Sequence, residues 1–317
     1  MKSRYLWMNG EMVEYEKATV HFLTPALHYG AGVFEGIRCY DTEKGPAVFR
    51  LVEHIDRLMS SALIFGFRSL PFSAEDLVRA AKETVAANEF SECYVRPLIY
   101  LTGGGWNLTV DGGTASVGIA VWEWNNYLGA DSLERGVRAN ISSFTRHHPN
   151  VTMTKAKVTG NYANSFLAKT ESMRLGFDEA ILLDPEGYVA ECTGENIFVV
   201  KNGTIFTPPV APVLQGITRD TLIALAHDLG LEVAEASLTR DMLYAADEVF
   251  VSGTASECIG LREIDFRTIG SGRTGEVTRK LQQAYHAAVH GKHRRSVDWL
   301  ALVSEGGEGN FRKTGSD

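Results

Sequence analysis

Two lysines separated by one alanine stand in Thr152-Met153-Thr154-Lys155-Ala156-Lys157-Val158-Thr159-Gly160-Asn161-Tyr162. The β-branched residues predict a short strand that breaks at Gly160-Asn161 and runs into a helix. A lysine stripped of water at a strand end has a lowered pKa and an amine nucleophilic toward a carbonyl carbon. By residue type alone a lysine is a solvated surface charge. Alternation along a strand puts Lys155 and Lys157 on one face, so periodicity does not choose between them. Two further stretches carry chemistry by type and spacing. Gly216-Ile217-Thr218 has the form of a glycine-led helix start, whose free N–H groups suit an anion. Tyr94 and Arg96, two apart in Tyr94-Val95-Arg96-Pro97, share one strand face and can point into one pocket.

A second segment, Gly187-Tyr188-Val189-Ala190-Glu191-Cys192-Thr193-Gly194-Glu195-Asn196-Ile197-Phe198, adds two nearby carboxylates, Glu191 and Glu195. Together with the lysine segment it closely resembles the class IV (fold type IV) pyridoxal-phosphate aminotransferases, and within them the branched-chain amino acid aminotransferases. The resemblance runs from about Tyr5 to about Tyr285. It implies that Lys157, which precedes Gly160-Asn161-Tyr162, is the Schiff-base lysine, and that Glu191 contacts the pyridine nitrogen of pyridoxal 5'-phosphate. Tyr162 then meets the cofactor's phenolic oxygen. Arg57, Ile217, Thr218 and Thr254 take its phosphate, and Leu214 and Gly194 pack on the two faces of the ring. For the substrate, the resemblance implies Tyr94 and Arg96, with Tyr29, Phe34, Arg38, Trp124 and Tyr127 walling or flanking the side-chain pocket. Backbone N–H groups at Thr254 and Ala255 take the α-carboxylate.

The implied reaction is transamination of L-leucine, L-isoleucine or L-valine with 2-oxoglutarate. The runner-up of the same fold is a D-amino-acid or (R)-amine transaminase, whose motifs depart from Tyr-x-Arg. An aminodeoxychorismate-lyase-like enzyme is disfavoured for the same reason. A binding protein without turnover, or a plain interaction domain, does not require Lys157, Tyr162 and Glu191 to occur together. Gly103 to Leu108 reads Gly-Gly-Gly-Trp-Asn-Leu, a departure from the family's loop, which reaches the active site across a dimer interface. An indole there bears on substrate breadth. The expected partners are amino acids and 2-oxo acids, in a homodimer or homohexamer whose site is completed by a second subunit.

The elements that must position these residues predict a mixed α/β fold of two domains. A sheet with two helices occupies 1–123, a linker 124–135, a β-rich cofactor domain 136–300, and a loosely held tail 301–317. Asn9-Gly10 centres a hairpin between Tyr5 and Val20. Three glycines at 30, 32 and 36 signal close backbone approach or a bulge. Ile37 to Tyr40 and Ala47 to Arg50 read as strands. Helices follow, one with a stripe of Leu51, Ile55, Leu58, Met59 and Ala62, and one capped by Ser73 with Asp76. Cys93 to Leu101 and Thr114 to Trp122 read as strands, as does Val137 to Phe144. Tyr162, Phe166, Thr170 and Met173 recur at helical spacing, with Gly176 as the cap. A meander from Ala180 to Pro208 precedes the helix at Gly216 and the buried strand Glu248 to Val251. The last helix runs roughly from Glu276 to His290.

The chain has 317 residues, 44% hydrophobic and 22% charged, the composition of a soluble protein with a full core. A net charge of −8 argues against general nucleic-acid binding. No run has the length and apolarity of a membrane span, and Met1 to Arg4 leads into no signal-peptide core, so a cytoplasmic location is expected. The four cysteines show no metal-ligand spacing and no CxxC pair.

Overall fold

Asn9 and Gly10 both take positive φ, 50° and 101°. That is the two-residue turn whose twist suits a hairpin, and it joins strands Tyr5–Met8 and Glu11–Glu14. The computed structural model describes residues 3–104, 106–124 and 131–305. Among these the hairpin belongs to an eight-stranded sheet dominated by the antiparallel pair Cys93–Gly103 and Thr114–Trp122. Helices Leu51–Phe65 and Ala74–Ala87 cover one face, and Ile55, Leu58, Leu77, Val95, Ile99 and Ile119 form its core. Ser73 and Asp76 make a reciprocal capping box that starts the second helix.

Residues from 137 onward build a second, nine-stranded sheet. Six of its strands close into a ring: Val189–Cys192, Glu179–Leu183, Val137–Ile141, Glu257–Ile264, Glu248–Gly253 and Asn196–Lys201. The last of these returns to the first. The seam that closes the ring is a single pair, Glu191 opposite Asn196. Phe198 and Phe250 stack flat at 4.7 Å beneath helices Ile217–Asp228 and Glu276–Val289. Among the described residues no helix is long and apolar enough to cross a membrane.

Three expectations are corrected. The lysine segment is not a strand: it is a run of turns with one isolated bridge, Val158 to Val33. The helix after it, Tyr162–Arg174, buries Ser165, Ala168 and Ser172, while Phe166 and Met173 stay exposed. Ala168 packs on Ala180 and Leu182, so this face needs small residues to approach the strand closely. The strand from Val137 ends at Ile141 rather than Phe144. Leu300–Leu302, where a loose tail was expected to begin, instead pair antiparallel with Ala47–Phe49 and return the chain to the first sheet. Residues 306–317 and half of the linker, 125–130, lie outside the described residues.

Candidate active site

The lysine segment is held by distant backbone. Lys157 N donates to Ser61 Oγ (3.1 Å), and Lys157 O accepts from Phe34 N (3.0 Å). Thr159 Oγ1 donates to Gly30 O (2.6 Å). Gly30 has φ 63°, and a β-carbon there would fall 2.6 Å from Gly160 Cα, so the two backbones touch where no side chain fits. This fixes Lys157 over a cavity of about 600 Å³. Its Nζ donates to Tyr162 Oη at 2.6 Å and stands 5.0 Å from the centre of the Phe34 ring. Lys155 goes elsewhere, to the carbonyls of Val210 and Val213, and does not line the cavity. Geometry therefore separates two lysines that periodicity left equal.

Glu191, at the seam of the strand ring, is 5% exposed and lines the same cavity. Burial raises its carboxyl above the usual range, and Arg146, the Leu214 N–H and Lys157 pull it back. Arg146 Nε lies 2.7 Å from Glu191 Oε1, near enough for an ion pair but out of line for a hydrogen bond. The Leu214 N–H (3.3 Å) and Asn196 Nδ2 (3.4 Å) reach its other oxygen. Asn196 also donates to Leu214 O (3.0 Å). Gly194 and Leu214 both line the cavity.

A cationic corner forms where Arg57 meets the start of helix Ile217–Asp228. Gly216 precedes that helix without any side-chain cap, leaving its first N–H groups free for an anion. A β-carbon at Gly216 would collide with Asn196 Oδ1, so the turn accepts only glycine. Ile217, Thr218 and Thr254 line the cavity at its wall. Arg57 is locked from behind: Nε and Nη2 donate to the fully buried Glu35 at 2.6 and 2.8 Å, and Nη1 donates to Gln215 O at 2.7 Å. His54 Nδ1 lies 2.7 Å from the same carboxylate. Burial opposes ionisation of Glu35, but Arg57 and His54 outweigh it and hold the carboxyl well below its usual range.

Elsewhere in the cavity Arg96 sits among aromatic faces, its guanidinium carbon 4.7 Å from the Phe34 ring centre, 5.3 Å from Tyr94 and 5.6 Å from Trp122. Its buried Nε has no acceptor, and among the described residues no carboxylate pairs with it. Tyr94 stacks near Trp124 at 4.6 Å, and Ala255 lines the wall beside Thr254.

Lys157, Tyr162, Glu191, Arg57, Gly194, Leu214, Ile217, Thr218, Thr254, Ala255, Phe34, Tyr94, Arg96 and Trp124 thus meet around one cavity. Tyr29 does not: it is half-exposed on helix Pro25–Tyr29 and packs edge-on against Trp106 (5.8 Å). Arg38 is also outside, buried against the Tyr40 ring (4.7 Å) and Glu257 (3.4 Å). Tyr127 lies outside the described residues. Sequence reasoning missed Arg146 and Glu35. For Glu35 a signal existed, a lone acid inside the apolar run Val33-Phe34-Glu35-Gly36-Ile37. Arg146 follows a strand in an irregular loop and gave none.

Comparison with known proteins shows the family. The Amino-transferase class IV family matches residues 32–264. A branched-chain-amino-acid aminotransferase of Pseudomonas aeruginosa is 47% identical over 94% of this chain and 97% of its own length. The crystal structure of the Escherichia coli branched-chain amino acid aminotransferase superposes with a TM-score of 0.92 at 46% identity, covering 95% of this chain and all of that one. The branched-chain amino acid aminotransferase of Thermobaculum terrenum, solved in its PLP (holo) form, gives a TM-score of 0.89 at 35% identity, covering 95% and 99%.

Proposed function

We propose the reaction from one premise, that this chain belongs to the class IV aminotransferases: it transfers the amino group of leucine, isoleucine or valine to 2-oxoglutarate, using pyridoxal 5'-phosphate. The observation that carries the reading is Lys157 Nζ bonded to Tyr162 Oη in a cavity that also holds the buried Glu191 carboxylate and Arg57. The donor set fits the cofactor. An amine is present for the aldehyde and a carboxylate for a pyridinium. The phosphate has a cationic corner made by Arg57 and the uncapped start of helix Ile217–Asp228.

In this reading Lys157 would hold the aldehyde carbon, Glu191 the ring nitrogen and Tyr162 the phenolic oxygen. Arg57, Thr254 and the N–H groups of Ile217 and Thr218 would hold the phosphate, and Gly194 and Leu214 would pack against the ring. When bound, the cofactor supplies a ring that accepts electrons from the substrate's α-carbon. Glu191 would keep a proton on the ring nitrogen, and Arg146 steadies that carboxylate. Once the substrate amine has displaced it from the aldehyde carbon, the freed Lys157 Nζ would be the base that moves the proton from the substrate α-carbon, and its bond to Tyr162 aims it. Arg96, a cation that no carboxylate among the described residues pairs with, receives the γ-carboxylate of 2-oxoglutarate and lets one pocket take both an apolar and an acidic side chain.

We further propose that a second copy of the chain completes the site. Tyr29, Trp106 and Leu108 carry apolar surface outside the cavity, as does Met173 on the exposed side of its helix. The test of the reaction is the absorbance of the purified protein with L-leucine, D-alanine and (R)-1-phenylethylamine in turn. Loss of the cofactor band with L-leucine, restored by 2-oxoglutarate, is expected. A band that responds only to the D-amino acid or the amine would overturn the substrate reading, and no band would overturn the cofactor reading.

A further inference from the structure

The segment from Pro208 to Gly216 has no ladder partners of its own, and its one internal backbone bond, Val213 N to Val210 O, is long at 3.4 Å. Side chains from elsewhere hold it instead. Thr154 Oγ1 donates to Ala211 O (3.1 Å), and Lys155 Nζ donates to Val210 O and to Val213 O (2.9 Å). Asn196 Nδ2 takes Leu214 O, and Arg57 Nη1 takes Gln215 O. Three successive carbonyls, 213 to 215, therefore each accept from a different remote side chain. The intervening Leu214 N–H donates to Glu191. Arg57, Asn196 and Glu191 line the cavity and would touch a bound cofactor or lie beside it. Lys155 does not line it.

Lys155 is half-buried, and an ammonium is costly to bury unless its donors are satisfied. Burial pushes its amine below the usual range, Glu191 and Glu235 pull it back up, and Arg219 pushes it down. A charge kept in this position stands behind the wall of the cavity, two residues before the lysine that faces into it. From this arrangement we infer that Lys155 is a positioning residue. By holding the carbonyls of Val210 and Val213 it sets where the Leu214 side chain meets the cofactor ring and where the Leu214 N–H meets Glu191. The inference rests on the reading that this cavity binds pyridoxal 5'-phosphate.

The test compares Lys155→Met and Lys155→Arg with the wild type, each stripped of cofactor and titrated with pyridoxal 5'-phosphate. The dissociation constant and the pH midpoint of the bound cofactor's absorbance band are both read. A hydrogen bond from a charged donor is worth enough to change a binding constant about tenfold or more, so Lys155→Met should weaken cofactor binding about tenfold and move the band's midpoint. Lys155→Arg, which can still reach both carbonyls with planar donors, should recover most of both. If Lys155→Met only melts earlier, with wild-type affinity and an unmoved midpoint, the lysine is a stabilising residue and the inference is overturned. Should Lys155→Met not fold, Lys155→Gln, whose amide keeps a donor toward one carbonyl, is measured in the same way. Weakening of about threefold is then expected, and wild-type affinity refutes the inference. Uptake by wild type and variant alike overturns this inference alone. No uptake by the wild type overturns the cofactor reading and this inference with it.

Discussion

Replacing Glu35 with glutamine keeps the shape of a wholly buried side chain and removes its charge. The carboxylate accepts from Arg57 Nε, Arg57 Nη2 and His54 Nδ1, all within 2.8 Å. A carboxamide offers one acceptor oxygen, and its NH₂ must face a donor of Arg57 or His54. The substitution therefore strands a buried guanidinium, a change that costs about 3–5 kcal/mol. For a chain of this size roughly 2 °C of Tm accompanies each kcal/mol, so the cofactor-free protein should melt about 6–10 °C lower at pH 7. The pH dependence gives a second check. The folded-state pKa of Glu35 is depressed, so its contribution is present above the ordinary value of 4.5 and is lost as pH falls toward the folded pKa. Glutamine does not titrate, so the gap between wild type and variant should narrow by about 1.4 kcal/mol per unit below that value. Far-UV circular dichroism melts at pH 7 and pH 3.5 measure both effects. A shift under about 2 °C at pH 7, or a gap unchanged at pH 3.5, would refute the argument that this carboxylate is ionised and holds Arg57.

Three further outcomes follow from the same geometry. Gly36→Ala would drive a methyl into Tyr94 Oη, whose ring is fixed by Trp122 and Trp124; KM for amino acids should rise several-fold and Tm should fall by about 2–6 °C, and steady-state kinetics with unaltered KM would contradict this. Arg96→Leu should abolish turnover of 2-oxoglutarate while the half-reaction with leucine persists, and equal loss of both in single-turnover spectra would remove Arg96 from the role. Glu195 is raised to about 8 by burial and by the charge of Glu179. Its stabilising contribution is complete below the ordinary value near 4.5 and is lost as pH rises through about 8. Glu195→Gln should therefore gain in Tm relative to wild type across that window, and a constant difference would count against it.

The parts of this architecture that could be read from the chain are those set by neighbours in sequence. Asn9-Gly10 specifies its own turn, Ser73 and Asp76 cap their own helix, and Gly216 opens the helix behind it. The five-residue step from Lys157 to Tyr162 is likewise local, and their contact is made across the 3-10 turn Thr159–Asn161. What escaped was set by residues far along the chain. The lysine segment has strand-forming residues, yet Val33 offers it only one bridge. The exposed side of helix Tyr162–Arg174 is its apolar one, because the strand beneath leaves space only for Ser165, Ala168 and Ser172. Glu35 acts through a helix 19 to 22 residues away, and Arg146 acts on Glu191, 45 residues downstream, so no local pattern marks either.

Leu300–Leu302 pair with Ala47–Phe49, so one edge of the first sheet is supplied by residues about 250 positions later. A chain made from its N-terminus can lay down most of that sheet early, yet Ala47–Phe49 waits as an open edge until residue 302 has been synthesised. All three of those residues are buried in the finished fold. The unfinished chain therefore carries a bare apolar edge through most of its synthesis, the kind of surface on which nascent chains join one another. A chain stopped before residue 300 would keep that edge open permanently, and its fate would turn on aggregation before catalysis.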